Sequence, residues 1–319
     1  MKFATLSHLL DGKNLKQIPS EWFQEKLIVS PELDVNGTKG YVIALKLLPE
    51  QIMNLPRNEI QQHILDASVF AQEKLDVNLI QLGALTTSVT NGGEWLVDQK
   101  EYAGYVTHGD SYTAAVTCQV VTKALKMINK SPSRTILSIV GAYGIIGEAV
   151  SKILVHQFKH TILIGPREEK LNELAKKLDG NFETSVDLNT NVADIIVTAT
   201  SHPTALLKTN HLKENAVVVD VSQPQNLTLD VCRKRPDVLR IDGGYVDFPI
   251  ESPLPIPGLP HGKTFACIAE VIMQAMKNER INHVGSIDLD YLHKTENWAK
   301  KYGFMLNELT NFGQPLNLT

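Results

Sequence analysis

Cysteine is scarce in this chain: Cys118, Cys232 and Cys267 are the only three in 319 residues. They lie far apart, form no CxxC pair and have no histidine at ligand spacing. That pattern argues against a disulfide framework and against a structural zinc site. It suits a reducing compartment, and a cytoplasmic location is expected. Long apolar runs are also missing. No stretch approaches the ~18 residues of a membrane span, and the opening MKFATLSHLLDGKN is too short and too polar for a signal peptide. A strong excess of one charge is absent, with a net charge of −4 and a pI near 6.2, so nucleic acid is not an expected partner. The local basic clusters, Arg233-Lys234-Arg235 and Lys300-Lys301, read as solvated faces. No internal repeat or low-complexity segment is present.

What is there describes a globular protein. Hydrophobic residues make up 43% and charged residues 21% of the chain, an ordinary balance. The length suggests two domains, and a chain of this size buries a core without staples. The first part, residues 1–110, reads as α/β. Asn36-Gly37 joins two apolar runs as a hairpin turn does. Residues 57–75 carry helical periodicity through Ile60, Ile64, Val69 and Leu75. NLIQLGALTTSV reads as a buried strand entering a small polar loop. A long helix is expected over 110–130, capped by Asp110 or Ser111 and ended by Asn129–Ser133.

From 135 onward short apolar strands alternate with helices. TILSIV, a helix over 144–157, TILIG, a helix over 168–178, DIIVTAT, AVVVDV and VLRID follow in turn. Such alternation implies βαβ units and a parallel sheet. The segment 248–262 holds five prolines and reads as a loop leaving this domain. Two helices follow, one in FACIAEVIMQAMKN and one near 288–302. The expected organisation is an N-terminal α/β substrate domain (1–110), a Rossmann-type, doubly wound parallel-sheet domain (111–260), and C-terminal helices (261–319) packing across the interdomain cleft.

The strongest motif is Gly141-Ala142-Tyr143-Gly144-Ile145-Ile146-Gly147, which follows the strand TILSIV and opens a helix. In a dinucleotide fold the first glycine makes the tight turn, the second lets backbone approach the pyrophosphate, and the third lets the helix pack closely. The helix start offers N–H groups to phosphate. Arg167 follows the second strand, where a 2′-phosphate sits, and favours NADPH. Thr200 and Ser201, and Val221 and Gly243, lie at later strand ends, where the nicotinamide is expected.

Cys267 stands in HGKTFAC, just beyond the proline-rich segment. With Thr264 as N-cap it would be the third residue of a helix, where the dipole and Lys263 would favour a thiolate. The ordinary reading of a cysteine on an apolar helix is packing. Cys118 and Cys232 are expected to be inert.

These residues resemble the cyanobacterial long-chain acyl-(acyl carrier protein) reductases, which form fatty aldehydes. The resemblance is distant and spans nearly the whole chain. It runs through Leu82-Gly83, the Thr113…Cys118 helix, Gly141…Gly147, Arg167, Asp220 with Pro224-Gln225-Asn226, Gly243-Gly244, Phe265-Ala266-Cys267 with Ala269-Glu270, and Ala299 to Phe304. The resemblance implies that Cys267 carries an acyl thioester, that NADPH reduces it, and that the substrate is an acyl carrier protein or acyl-CoA thioester. Oxyanion donors would be backbone N–H groups at the Cys267 helix start, Thr113 or Ser201. The acid would be His261, by nearness in sequence, or Tyr112, which stands where the relatives carry a histidine. Asp220-Val221-Ser222 replaces a more glycine-rich stretch.

Two other readings remain open. A shikimate-dehydrogenase-like enzyme would need a Lys/Asp pair in the first domain, and no convincing motif for it is found. A glutamyl-tRNA-reductase-like enzyme would need a cysteine there, and residues 1–108 have none. From another class, a non-catalytic NADPH-binding sensor would keep the fold alone. The acyl chain, its carrier and the oligomeric state, a homo-oligomer included, are left open by the sequence.

Overall fold

The computed structural model describes residues 1–319 apart from 10–11, 252–255, 257–258 and 317–319. Part of the proline-rich segment, 252–255 and 257–258, therefore lies outside the described residues. The chain divides into two compact units, Met1–Tyr112 with Val246–Met305, and Thr113–Tyr245 with Leu306–Thr319. The expected boundaries after 110 and 260 differ from this division. The stretch from Val246 returns to the first unit, and the last residues return to the second. No described helix is long and apolar enough to cross a membrane.

The first unit contains β1 (Phe3–His8), β2 (Leu27–Val29), β3 (Leu33–Val35), β4 (Thr38–Leu45), α1 (Pro49–Asn54), α2 (Arg57–Leu75), β5 (Leu79–Leu82), α3 (Leu85–Val89), α4 (Glu94–Val97) and β6 (Tyr105–Thr107). Its sheet runs β2-β4-β1-β5-β6, with β3 also paired to β4. β1 is parallel to β4 and β5, and β2 and β3 are antiparallel to β4. Asn36 and Gly37 both adopt positive φ, 53° and 82°, as a two-residue hairpin turn requires. The helix α2 buries Ile60, Ile64, Leu65, Ala67 and Ala71, the face its periodicity marks. It stops at Asp76, which takes the left-handed conformation.

Helix α5 (Asp110–Met127) begins in this unit and continues into the next. In the second unit follow β7 (Ile136–Val140), α6 (Ile145–Leu154), β8 (His160–Ile164), α7 (Glu168–Ala175), β9 (Phe182–Ser185), β10 (Ile195–Thr198), β11 (Val217–Asp220), α8 (Leu229–Lys234) and β12 (Leu239–Asp242). All six strands are parallel, in the order β12-β11-β10-β7-β8-β9. This is the Rossmann order, and the strand direction of winding reverses between β7 and β10, where ligands bind in such sheets.

The chain then returns to the first unit with β13 (Tyr245–Asp247), β14 (Lys263–Phe265), α9 (Ala266–Met276) and α10 (Leu289–Tyr302). α9 is apolar almost all round and is buried nearly throughout, as such a helix must be. It packs on β1, β4 and β5. The last pair, β15 (Thr310–Asn311) and β16 (Gln314–Pro315), forms a small hairpin beside β12. It is anchored on Arg240, a fully buried guanidinium 2.7 Å from Asp242 and 3.3 Å from Asp220. Thr310 Oγ1 and the Gly313 N–H each donate to Asp242 at 2.8 Å.

Candidate active site

In the second unit the glycine turn closes between β7 and β10. Gly141 sits at φ 85°, and a β-carbon there would lie 2.3 Å from the Ala199 carbonyl oxygen. A β-carbon on Gly147 would lie 2.1 Å from the Gly141 carbonyl oxygen. Neither position tolerates a side chain, so the turn requires both glycines. Gly144 is the N-cap of α6, and no side chain caps that helix start. The N–H groups from Ile145 onward are thus left for an anion. Tyr143 lies against Gly165, where a β-carbon would sit 2.3 Å from its ring. The Arg167 guanidinium stands 5.2 Å from the same ring, exposed at the end of β8. A glycine cradle, an uncapped helix start and a guanidinium beside the second strand fit a phosphorylated dinucleotide.

The other strand-end residues also gather in this unit. The Thr200 N–H donates to Ser222 Oγ at 3.0 Å, and Ser201 is exposed. A β-carbon on Gly243 would lie 2.5 Å from the Val221 side chain, and one on Gly244 would lie 3.9 Å from Thr113. Thr113 therefore stands beside the Gly243-Gly244 turn.

In the first unit, Cys267 is the second residue of α9. The N-cap is Phe265, not Thr264. The expected low thiol pKa is reversed. Burial pushes the thiol well above its ordinary value, and Asp110 and then Glu270 push it further, against the opposing N–H groups of Ile268 and Cys267. Lys263, expected to help, is paired with Asp247 at 2.6 Å. Among the proposed acids, Tyr112 is buried and its hydroxyl donates to the Phe304 carbonyl. Burial raises its pKa above the ordinary phenol, so it is an anchored core residue. His261 is exposed in the turn before β14.

The cysteine's surroundings contain groups the sequence did not single out. Gly109 lies on Cys267: a β-carbon there would be 2.7 Å from both its Cβ and its carbonyl oxygen. Gly109 leads directly into α5. The start of that helix is held by His108 Nδ1, which accepts the Asp110 N–H at 2.9 Å, and by Glu270, which accepts the Tyr112 N–H at 2.7 Å. These acceptors replace the expected cap by Asp110 or Ser111. Glu270 also accepts from Thr107 Oγ1 at 3.1 Å. Its carboxyl is pushed up to about 7, burial outweighing the bonds it accepts. His108 is lowered to about 3 by burial and by His283. His283 stacks on Tyr291 with ring centroids 3.3 Å apart. His108, Ser111, His283, Tyr291, Asp288 and Lys294 are among the residues lining a cavity of about 450 Å³. One signal for this cluster was available: Glu270 and Gln274 are polar residues in an otherwise apolar helix, and such residues need buried partners.

Comparison with known proteins supports the fold and the cofactor half. Residues 122–242 match the shikimate/quinate 5-dehydrogenase family. The chain is 25% identical over 252 residues to the aminotransferase PigE of a Serratia strain, covering 75% of this chain but only 29% of that protein. It is 24% identical over 271 residues to the long-chain acyl-[acyl-carrier-protein] reductase of Synechococcus elongatus, covering 79% of this chain and 78% of the relative. The shikimate dehydrogenase structure from Aquifex aeolicus aligns over 93% of this chain and 97% of its own, at 14% identity and a TM-score of 0.43. With the glycine turn and the strand order, the family match over residues 122–242 and the reductase relative support a Rossmann-type oxidoreductase that uses a nicotinamide dinucleotide.

Proposed function

We propose that the protein reduces an acyl thioester to an aldehyde, with Cys267 as the acyl acceptor and NADPH as the reductant. The observation that carries this reading is the position of Cys267. Its sulfur sits at the start of a buried helix, receives the Ile268 N–H, and feels the charges of the half-buried Asp110 and the buried Glu270. The reductase relative, similar over most of both chains, supports it. The carrier is an acyl carrier protein or coenzyme A.

In this reading the turn Gly141–Gly147 holds the pyrophosphate, Arg167 holds the 2′-phosphate, and Thr200, Ser201, Val221 and Gly243 stand at the nicotinamide end. Bound NADPH supplies the hydride that reduces the acyl carbon. The uncapped N–H groups at the start of α9 stabilise negative charge on the acyl oxygen as the thiol adds. Thr113, beside Gly244, is a further candidate donor. Burial keeps the resting thiol protonated and so limits its oxidation.

The family match over residues 122–242 favours a second reading, a dehydrogenase acting on a small hydroxy acid. That match is confined to residues 122–242 and does not reach Cys267. The two readings separate in one experiment. The intact mass is measured after incubation with acetyl- to palmitoyl-coenzyme A and the matching carrier-protein thioesters, without NADPH. The thioester reading expects one acyl group on the wild type, none on Cys267→Ser, and removal on adding NADPH. A protein that binds NADPH yet takes no acyl group belongs to the second reading.

A further inference from the structure

We propose that Asp110 is the catalytic base for Cys267, taking the thiol proton as the sulfur attacks and handing it to the departing carrier. This rests on the thioester reading above.

The argument begins with backbone geometry. α5 and α9 start at the same point, because Gly109 lies on the Cα, Cβ and carbonyl of Cys267. Gly109 takes φ 71°, and the approach leaves no room for a side chain. The next residue, Asp110, therefore begins beside the cysteine. Its N–H is fixed by His108 Nδ1, which orients the residue. Among the described residues its carboxylate accepts no hydrogen bond, whereas Glu270 is tied to Thr107 and Tyr112. The two acids thus differ in kind. Glu270 is a positioning residue that joins the cysteine helix to the start of α5. Asp110 is the carboxyl left over for chemistry. Of the two, Asp110 acts more strongly on the thiol.

The remaining titratable neighbours do not compete. His108 accepts the Asp110 N–H at Nδ1, so its neutral ring carries the proton on Nε2 and neither nitrogen is free to take the thiol proton. His283 lies against Tyr291 and pairs with Glu279 at 3.6 Å. Burial and Glu270 raise the Asp110 carboxyl, which brings its basicity closer to that of a thiol.

The proton balance closes. The Cys267 sulfur bonds to the acyl carbon, the bond from that carbon to the carrier sulfur breaks, and Asp110 passes the thiol proton to the carrier thiolate. After hydride reduction by NADPH, the Cys267–carbon bond breaks with its electron pair on sulfur. Asp110, reprotonated from solvent, returns a proton to the thiolate, so that one solvent proton is consumed in the cycle.

The test compares two reactions of the same sulfur in wild type, Asp110→Asn and Asp110→Glu, with thermal melts as the folding control. One is alkylation by iodoacetamide at pH 9, where hydroxide from solvent can take the thiol proton. The other is acyl transfer from the acetyl- to palmitoyl-coenzyme A panel, read by intact mass without NADPH. Asp110→Asn removes a negative neighbour, so alkylation should rise severalfold while acylation falls by about 10²-fold. Asp110→Glu should recover part of the acylation. Unchanged acylation in Asp110→Asn overturns the proposal, and so does an equal fall in both reactions. If the wild type itself is alkylated at Cys267 but accepts no acyl group, the thioester reading fails and takes this inference with it.

Discussion

Glu270 accepts the backbone N–H of Tyr112 at 2.7 Å, across 158 positions of sequence. The bond places a carboxylate of α9 on the N-terminus of α5, where a helix dipole favours negative charge. It also fixes the turn that carries Cys267 relative to the turn that carries Asp110. A buried carboxyl in this place trades dipole stabilisation against desolvation, and desolvation is the larger effect.

That balance has a pH signature. The Glu270 carboxyl moves from 4.5 to about 7 on folding, so the folded state holds its proton more tightly than the unfolded chain. Its contribution to stability is full below about 4.5 and is lost as pH rises toward about 7. The whole loss is on the order of 3 kcal/mol. Glu270→Gln cannot titrate. Unfolding free energies of the two proteins, measured from pH 4.5 to 8, should shift in the variant's favour by about that amount and then run parallel. Parallel curves across the whole range would mean that Glu270 does not titrate there.

Gly109→Ala tests the contact on which the site depends. The new methyl would meet Cys267 at 2.7 Å in a backbone conformation with φ 71°. Strain and overlap together should lower stability by about 2 kcal/mol or more. Alkylation of Cys267 should change in rate as its helix start is displaced. A variant with wild-type melting and wild-type alkylation would show that the two turns do not touch in solution.

The elements with their own periodicity were legible. α2 was bounded at 57–75 by its apolar spacing, and the glycine turn by the strand before it and the helix after it. Pairings between distant segments were not legible. Nothing local in residues 246–305 says that they return to the first unit, because that choice depends on which sheet α9 covers. The short strands β9, β13 and β14 and the final hairpin carry too few residues to show alternation. The environment expected for Cys267 was misjudged. The dipole of a helix start is a local property, whereas the burial and the Asp110 and Glu270 charges that outweigh it come from the packing of distant segments.

Arg240 carries the last hairpin. Its guanidinium is fully buried with Asp220 and Asp242 and lies 4.2 Å from the Phe312 ring centroid. Arg240→Ala leaves two buried carboxylates without their cation, a loss of about 3–5 kcal/mol. Hydrogen exchange should rise first in residues 309–316, which hang on Asp242. Uniform exchange along the second unit would place the loss elsewhere.

In the proposed reading the cofactor preference turns on Arg167. It is exposed and stands over Tyr143 rather than in an ion pair that fixes it, so its charge is available to a ligand phosphate. A charge-assisted bond of this kind contributes about 1.5–3 kcal/mol. Arg167→Ala should therefore weaken NADPH binding by roughly 10- to 100-fold, while NADH, which lacks the 2′-phosphate, should bind about as before. Titration calorimetry of both cofactors against both proteins gives the ratio directly. An equal loss for NADH and NADPH would move the role of Arg167 from the phosphate to the support of Tyr143 in the glycine turn.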